Sequence, residues 1–307
     1  MRAFAPATVA NVGCGFDVFG FAMNNPGDEA CLKIVPERGV RIVKITGDQG
    51  ELPLDADKNT AGVSLSAMLD VIQADFGIEM ELHKKMAIGS GLGSSAASAV
   101  VSVFALNQML KKPLKPMDLL PFAVEGEKIS SGGSVHLDNI SACLLGGFIL
   151  IRSNDPVDVI QLPAPDDLRC TVIHPHIEIR TELSRKMLRS SIPLYKAVRQ
   201  WGNIAGSITA LFTHDYQLLH RSFEDEIIVP ERAVLIPRYY EMREAALKAE
   251  AIGFSISGSG PSVFALSESD NKAKYIADQI GQVLKKIGIG YDTYISGINK
   301  QGPRILS

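Results

Sequence analysis

Hydrophobic and polar residues follow two different periods along this chain, and each period predicts one kind of element. Apolar and polar side chains alternate over residues 78–83, which is the pattern of a half-buried strand. Residues 31–36 and 40–46 alternate β-branched residues with charges and predict two more strands. Residues 94–110 contain neither Gly nor Pro and are rich in Ala and Val, so they predict one long helix.

Further helices are predicted where apolar residues recur every three or four positions. These segments are residues 57–76, 116–130, 196–213, 237–250 and 271–286. The helix at 196–213 carries an apolar stripe that we predict to be core, formed by Val198, Trp201, Ile204, Ile208 and Leu211. Strands are predicted at residues 147–152, 170–175 and 291–298. Together these elements predict a protein of the α+β class.

Length and composition narrow the possibilities. The 307 residues suffice for two domains, and the turn-forming residues at 153–156 predict a boundary that divides residues 1–153 from 154–307. A net charge of −3 predicts no general attraction to nucleic acid or to an anionic membrane. Four widely spaced cysteines favour free thiols, and no leader sequence or spanning apolar run is recognisable. We therefore expect a soluble, cytoplasmic protein.

A glycine-rich segment at residues 86–98 follows the predicted strand and leads into the long helix. Its glycines allow positive φ angles and a close approach of the backbone to a ligand. They are Gly89, Gly91 and Gly93. Ser94 and Ser95 lie at the helix start, where backbone N–H groups lack intrahelical partners and the helix dipole favours an anion. The segment therefore predicts a phosphate site.

Two common phosphate-binding motifs do not fit this segment. A Walker A loop needs Gly-Lys-Ser/Thr at the helix start, whereas Gly93 is followed directly by Ser94. A dinucleotide fingerprint needs a glycine three positions after Gly91, and that position is also Ser94. A turn that serves only backbone geometry is the structural alternative.

Three motifs in order along the chain carry a family resemblance. Gly-Leu-Gly-Ser-Ser-Ala-Ala at residues 91–97 resembles the ATP-phosphate motif of the GHMP small-molecule kinases. Ala-Asn-Val-Gly-Cys-Gly-Phe-Asp-Val at 10–18 resembles the first motif of that family, in the form typical of its homoserine kinases. The glycine-rich turn between apolar segments at 253–266 resembles the third motif. The resemblance covers essentially the whole chain.

This resemblance implies a fold and a reaction. The fold would be a ribosomal-protein-like N-terminal domain and a ferredoxin-like C-terminal domain, with the active site between them. The reaction would transfer phosphate from ATP to the small-molecule partner L-homoserine, and a homodimer is compatible with it. Asn59 would border the adenine, and the phosphates would contact Gly89, Ser90, Gly91, Leu92, Gly93, Ser94 and Ser95.

The resemblance also implies magnesium as a cofactor. Glu127 matches the family glutamate that shares Mg²⁺ with a serine of the phosphate loop, here Ser95, with Ser94 as an alternative. However, the linker at residues 131–134 has one residue more than usual between that glutamate and the following histidine, so Glu125 is an alternative ligand. Alternatively, both glutamates are ordinary solvent-exposed residues that bind no metal.

A polar cluster follows inside apolar sequence. His136, Asp138 and Asn139 fall within four residues, and three buried polar groups would be costly as core filling. The resembled homoserine kinases carry the same His-x-Asp-Asn grouping, so we treat the three residues as catalytic candidates. In other family members an aspartate at this place is a general base, but no strong base is evident here. We favour a mechanism in which the bound substrates react because they are held close together, without a general base. Asp138 is the one residue that could act as such a base and so contradict this mechanism.

Homoserine carries an ammonium, a carboxylate and a hydroxyl group. Asp17 suits the ammonium, and Arg185 and Arg232 suit the carboxylate because guanidinium binds it bidentately. The hydroxyl end could be oriented by Asn11, His136 and Asn139. Two alternatives stay open: a GHMP kinase for another small alcohol, and a catalytically inactive binding module of the same fold.

Overall fold

The computed structural model describes residues 1–130, 135–179 and 181–306. The linker at 131–134, whose length raised the question about Glu125, lies outside the described residues. Among the described residues, none of the helices combines the length and the apolar composition that a membrane span requires.

The strands are numbered in chain order. They are β1 (Arg2–Ala10), β2 (Phe19–Val35), β3 (Gly39–Thr46), β4 (Gly77–His83), β5 (Phe148–Asn154), β6 (Val157–Leu162), β7 (Arg169–Pro175), β8 (Gly253–Ile256), β9 (Val263–Ser267), β10 (Tyr291–Gly297) and β11 (Arg304–Leu306). The segment predicted as a strand at 31–36 is thus the end of the 17-residue β2.

The α-helices are numbered in the same way. They are α1 (Thr60–Val71), α2 (Ser94–Met109), α3 (Pro116–Ser130), α4 (Leu137–Leu145), α5 (Thr181–Lys186), α6 (Leu194–Thr213), α7 (Tyr216–Ser222), α8 (Val229–Arg232), α9 (Tyr239–Lys248) and α10 (Asp270–Lys286). The helix predicted at 57–76 is shorter than expected, because a 3₁₀ turn at Ala56–Lys58 precedes α1.

A seven-stranded mixed sheet organises the first half of the chain. Its order is β11-β1-β2-β4-β3, and β5 pairs with both β2 and β6. Strand β1 is buried at every residue after Arg2, because strands pair with it on both edges and helices α2 and α4 pack against it. The apolar helix α2 is therefore held against the centre of this sheet, with its N-terminus at the glycine-rich loop.

A second sheet of four antiparallel strands organises the other half. Its order is β10-β7-β9-β8, and helices α9 and α10 pack against it. The core of this unit includes Val263 and Ala265 from β9 and Ile276 and Ile280 from α10. Helices and sheets of this kind agree with the predicted α+β class.

The predicted domain boundary at 153/154 needs correction. The turn in this segment is at residues 155–156, and it joins the end of β5 to β6, both of which belong to the first sheet. Strand β11 also returns to the first sheet and pairs with β1. Turn-forming residues predict a change of chain direction, but they do not tell whether the next strand joins the same sheet.

The predicted core stripe of α6 also needs correction. Trp201 is 60% exposed and Val198 is 53% exposed, whereas Leu211 is buried. The helix instead buries small and polar residues, and Gln200 Nε2 donates a hydrogen bond to the carbonyl of Cys14 at 2.7 Å. Helical spacing of apolar residues was sound evidence for a helix, but it did not identify the face that the rest of the protein covers.

Candidate active site

A cavity of about 420 Å³ lies where the glycine-rich loop meets loops of the second half. Most residues predicted for the site line it, although they come from segments far apart in sequence. From the first half they are Asn11, Asp17, Asn59, Gly89, Ser90, Gly91, Gly93, Ser94, Ser95, Glu127, His136 and Asn139. From the second half they are Arg185 and Arg232. Two predicted residues, Leu92 and Asp138, are not among the lining residues.

The glycine-rich loop belongs to the first half of the chain and contacts the second half directly. Gly91 has a φ of +78°, and a Cβ atom there would lie 2.4 Å from the carbonyl oxygen of Ser257. Ser257 Oγ also donates a hydrogen bond to the carbonyl of Gly91 at 2.7 Å. The side chain of Leu92 is buried in the core, so it anchors the loop rather than facing the cavity. Backbone at Gly91 can take this path only because the residue has no side chain.

The loop ends in a helix N-terminus that opens on the cavity. Gly93 takes a left-handed conformation with φ +66°, and no side chain caps α2 in the described structure. A Cβ atom on Gly93 would lie 2.0 Å from Thr8 Oγ1, which explains why a glycine is needed there. The hydroxyl oxygen of Ser94 is buried without a hydrogen-bond partner among the described residues. Uncapped N–H groups and an unsatisfied hydroxyl are suited to an anion.

Ser95, Glu127 and His136 form one polar group at this helix start. Ser95 Oγ donates a hydrogen bond to Glu127 Oε1 at 3.0 Å, and His136 Nδ1 lies 3.3 Å from the same oxygen. Burial opposes protonation of His136, but the hydrogen bond and the charge of Glu127 outweigh it and raise the pKa of His136. Glu125, by contrast, is exposed and pairs with Lys128 at 2.5 Å. The structure thus brings Glu127, and not Glu125, beside Ser95.

Asp138 lies behind the cavity wall. Its side chain is buried in the first turn of α4, and it accepts a hydrogen bond from the backbone N–H of Asn139 at 3.0 Å. Burial, reinforced by the negative charge of Asp17, raises the pKa of Asp138 to about 6. Asn139 does reach the cavity, and its Oδ1 accepts a hydrogen bond from Thr8 Oγ1 at 2.7 Å.

The residues predicted for an amino-acid ligand meet at one place in the cavity. Arg185 Nη2 lies 2.9 Å from each carboxylate oxygen of Asp17. Asn11 and Asp17 both have a φ of +58°, which is uncommon for residues with a side chain. Asn11 holds this conformation by accepting the N–H of Asp17 at 2.8 Å and donating to the carbonyl of Gly258 at 2.8 Å. Backbone in sparsely populated conformations is often found at functional sites.

Arg232 completes this group from a buried position. It is 3% exposed, and Arg232 Nη1 donates to the same Gly258 carbonyl at 3.0 Å. Burial lowers the pKa of Arg232 to about 10, so the side chain remains a cation at neutral pH. Phe16 lies beside both arginines, with its ring centroid 5.0 Å from Arg232 Cζ and 5.6 Å from Arg185 Cζ. Sequence reasoning missed Phe16, because nothing but its position next to Asp17 points to it.

Asn59 occupies the cavity wall in a structural role. Its Oδ1 accepts the N–H of Ala61 at 3.0 Å as the N-cap of α1, and its Nδ2 donates to the carbonyl of Pro53 at 2.9 Å. The side chain is therefore already committed to backbone groups. The same cavity also has apolar lining from Leu52, Pro53, Ile88 and Ile129. These residues offer a surface for a flat apolar group such as a nucleotide base.

Comparison with known proteins gives consistent results for the whole chain. Residues 60–147 match the GHMP kinases N terminal domain, and residues 207–286 match the GHMP kinases C terminal domain. A homoserine kinase of Chlorobium phaeobacteroides is 44% identical over 99% of this chain and 98% of that protein. A homoserine kinase of Xanthomonas campestris is 34% identical over all of this chain and 94% of that protein.

Solved structures agree with these sequence matches. The crystal structure of homoserine kinase from Cytophaga hutchinsonii superimposes with a TM-score of 0.97 at 51% identity, covering 100% of this chain and 97% of that one. The structure of L. major mevalonate kinase in complex with R-mevalonate has a TM-score of 0.73 at 16% identity, covering 97% and 96%. The second likeness concerns the fold alone.

Proposed function

The chain belongs to the GHMP kinase family, and because homoserine kinases match it over nearly their full length at 34% and 44% identity, we propose that its cavity transfers the γ-phosphoryl group of ATP to the side-chain hydroxyl of L-homoserine. The product is O-phospho-L-homoserine, an intermediate of threonine biosynthesis. One observation carries the assignment to this cavity: an uncapped helix N-terminus and a cluster of charges suited to a zwitterion line the same 420 Å³ space.

ATP occupies the part of the cavity around the glycine-rich loop. The backbone N–H groups at the start of α2 hold its β- and γ-phosphates, which needs no side-chain charge. The base lies against the apolar lining that includes Ile88 and Ile129. Asn59 shapes this end of the cavity by capping α1 rather than by reading the base with its amide.

The residues beside the phosphates fit a magnesium ion. Ser95 Oγ and Glu127 Oε1 are neighbouring oxygen donors, and Mg²⁺ prefers a few protein oxygens together with phosphate and water. When bound, the ion neutralises charge that develops on the transferring phosphoryl group. His136 orients the Glu127 carboxylate from the other side.

Homoserine binds between the two halves of the chain. Asp17 receives its ammonium group, and Arg185 and Arg232 receive its carboxylate. The hydroxyl end then points toward the phosphate loop, where Asn11, His136 and Asn139 line the cavity. This placement holds the attacking oxygen near the γ-phosphate, which by itself supplies a large share of the rate acceleration.

The reaction needs no dedicated carboxylate base. Asp138 is buried and is not a lining residue of the cavity, which supports a positioning role for it through Asn139. The hydroxyl proton passes to the phosphate or to solvent as the bond forms. Substitution of Asp138 by Asn tests this step: lost turnover with both substrates still bound would show that the carboxylate is required as a base.

The cellular setting is part of the same proposal. A soluble small-molecule substrate and a net charge of −3 support a cytoplasmic enzyme without nucleic-acid or membrane partners. Size measurement in solution will decide whether the chain forms a homodimer.

A coupled assay of ADP release tests the proposed function. With ATP and Mg²⁺ present, the purified protein should release ADP only when L-homoserine is added. Release at the same rate without homoserine, or none with it, would contradict the proposal.

A further inference from the structure

A buried ion pair lies beside the phosphate loop, and its lysine, Lys84, is itself one of the residues that line the cavity. Lys84, the residue after β4, pairs with Asp28 of β2, and their side chains are 2% and 0% exposed. Lys84 Nζ also donates to the carbonyl of Ser94 at 2.7 Å and to Ser98 Oγ at 2.7 Å. All three ammonium hydrogens therefore have acceptors, and two of these acceptors belong to the first turns of α2.

The pair is unusual on energetic grounds. Removing two charges from water is costly, and buried ion pairs are often no better for stability than apolar residues of similar volume. A cation near a helix N-terminus is unfavourable as well, because the helix dipole is positive there. Asp28 compensates both effects, and its other oxygen accepts the N–H of Lys85 at 2.8 Å. Stability of the fold alone does not call for such an arrangement.

The pair connects the phosphate loop to the sheet. Asp28 is fixed in β2, and the N–H of Lys84 donates to the carbonyl of Thr46 at the end of β3 at 2.8 Å. Through Lys84 Nζ, the first turn of α2 is held at one position relative to these strands. Since Ser94 directly follows Gly93, the same bonds fix the path of the loop where it meets the helix.

We propose that Lys84 and Asp28 are positioning residues for ATP, which hold the N-terminus of α2 in the geometry that binds phosphate. This inference rests on the proposed function for the identity of the nucleotide. The residues assigned to homoserine are held separately, since Arg232 and Asn11 both bond to the carbonyl of Gly258 and Arg185 bonds to Asp17. Loss of the pair therefore weakens ATP binding and leaves homoserine binding nearly unchanged.

A double variant separates positioning from mere stability. Asp28→Asn with Lys84→Met removes both charges, so no buried charge stays unpaired, and the amide oxygen still accepts the N–H of Lys85. Ser98 Oγ and the carbonyl of Ser94 keep each other as partners at 3.2 Å. The matched control makes the same two changes at an exposed pair that does not line the cavity, Asp166→Asn with Lys300→Met.

The readouts are Tm and the KM values for ATP and homoserine. The double variant should keep a Tm within about 5 °C of the parent, because no unpaired charge is created. Its KM for ATP should rise roughly tenfold or more, while KM for homoserine stays within about twofold and the control matches the parent. An unchanged KM for ATP in the folded double variant, or an equal rise in both KM values, would overturn the inference.

A second measurement covers a variant too unstable for kinetics. Saturating ATP should raise the Tm of the parent through binding, and homoserine should do so independently. In the double variant, the ATP-induced shift should be clearly smaller than in the parent at the same ATP concentration and the homoserine-induced shift retained, whereas a parent-like ATP shift would refute the role. The ATP-induced Tm shift does not depend on turnover, so it tests the positioning role even if homoserine is not the substrate. The proposed function is tested separately by ADP release from the parent protein.

Discussion

Arg185 and Asp17 form an ion pair across the cavity, with Arg185 Nη2 at 2.9 Å from both carboxylate oxygens. The two residues are 168 positions apart and come from different halves of the chain. A zwitterionic amino acid can replace this pair without loss of charge partners, since its ammonium faces Asp17 and its carboxylate faces Arg185. A ligand with only one of the two charges would leave one residue without a partner, which is costly in a partly desolvated site.

Substitution of the arginines should weaken homoserine binding selectively. Arg185→Leu and Arg232→Leu each remove charged hydrogen bonds worth about 1.5–3 kcal/mol, or roughly a tenfold to 150-fold rise in KM for homoserine. KM for ATP should barely change. Arg243→Leu, at an exposed pair with Glu224 that does not line the cavity, is the matched control. Steady-state kinetics with each substrate varied checks this, and KM values within twofold of the parent would refute the assignment.

An arginine to lysine substitution tests whether the substrate carboxylate needs the geometry of the guanidinium group or only its positive charge. Arg232→Lys keeps the charge but loses the planar fork that binds a carboxylate at two points. It also loses the hydrogen bond that Arg232 Nη1 donates to Gly258. We expect a rise in KM for homoserine of at least about fivefold, the equivalent of one neutral hydrogen bond. Parent-like KM in this variant would mean that charge alone suffices.

A side chain on Gly91 should strongly weaken ATP binding. Its Cβ atom would clash with the carbonyl of Ser257 at 2.4 Å, and its φ of +78° is strained for any other residue. Gly50 is the control, because it has a similar φ of +81° but open space around its Cβ position. Gly91→Ala should raise KM for ATP strongly, whereas Gly50→Ala should cost only the backbone strain of about 1 kcal/mol. ATP titration by calorimetry distinguishes the two.

The two glutamates of α3 should differ sharply in catalysis. Glu127→Gln removes a carboxylate beside Ser95 and should lower kcat on the order of 100-fold with a weaker apparent affinity for Mg²⁺. Glu125→Gln changes an exposed residue paired with Lys128 and should leave both quantities unchanged. Activity measured against Mg²⁺ concentration checks this, and the opposite ranking would assign the metal to Glu125.

Stability should depend on pH through Asp138. Its pKa is raised from 3.8 to about 6, mainly by burial, so the folded state binds a proton more tightly than the unfolded state. The tighter proton binding adds about 3 kcal/mol to the free energy of unfolding. This stabilisation is fully present below about pH 4 and is lost as the pH rises through about 6. Asp138→Asn should therefore flatten the fall in unfolding free energy between pH 4 and 6. Denaturant unfolding of both proteins across that range measures the difference, and parallel curves would contradict it.

Local sequence was sufficient for the phosphate loop. Three glycines before an apolar helix predicted a turn with positive φ angles, and Gly89, Gly91 and Gly93 all have them. The predicted family, fold and enzymatic function are confirmed by the comparisons. Each of these motifs consists of neighbouring residues, so it can be recognised without knowledge of tertiary contacts.

Contacts between distant segments could not be predicted in this way. No local pattern distinguishes Lys84 in the sequence, because its partner Asp28 lies 56 positions away. The exposed face of α6 and the hairpin at 153–156 were misjudged for the same reason, since each depends on which other element packs nearby. The residue roles at the site remain predictions that the experiments above will test.

The recognition of a zwitterionic substrate is tested by comparing L-homoserine with close analogues in the ADP-release assay. The analogues are 4-hydroxybutyrate, which lacks the ammonium, 3-aminopropanol, which lacks the carboxylate, and mevalonate, which has a carboxylate but no ammonium. We expect kcat/KM for each analogue to be at least about 100-fold below the value for L-homoserine, since each leaves a charge at Asp17 or Arg185 without a partner. Turnover of any of them within tenfold of L-homoserine would contradict it.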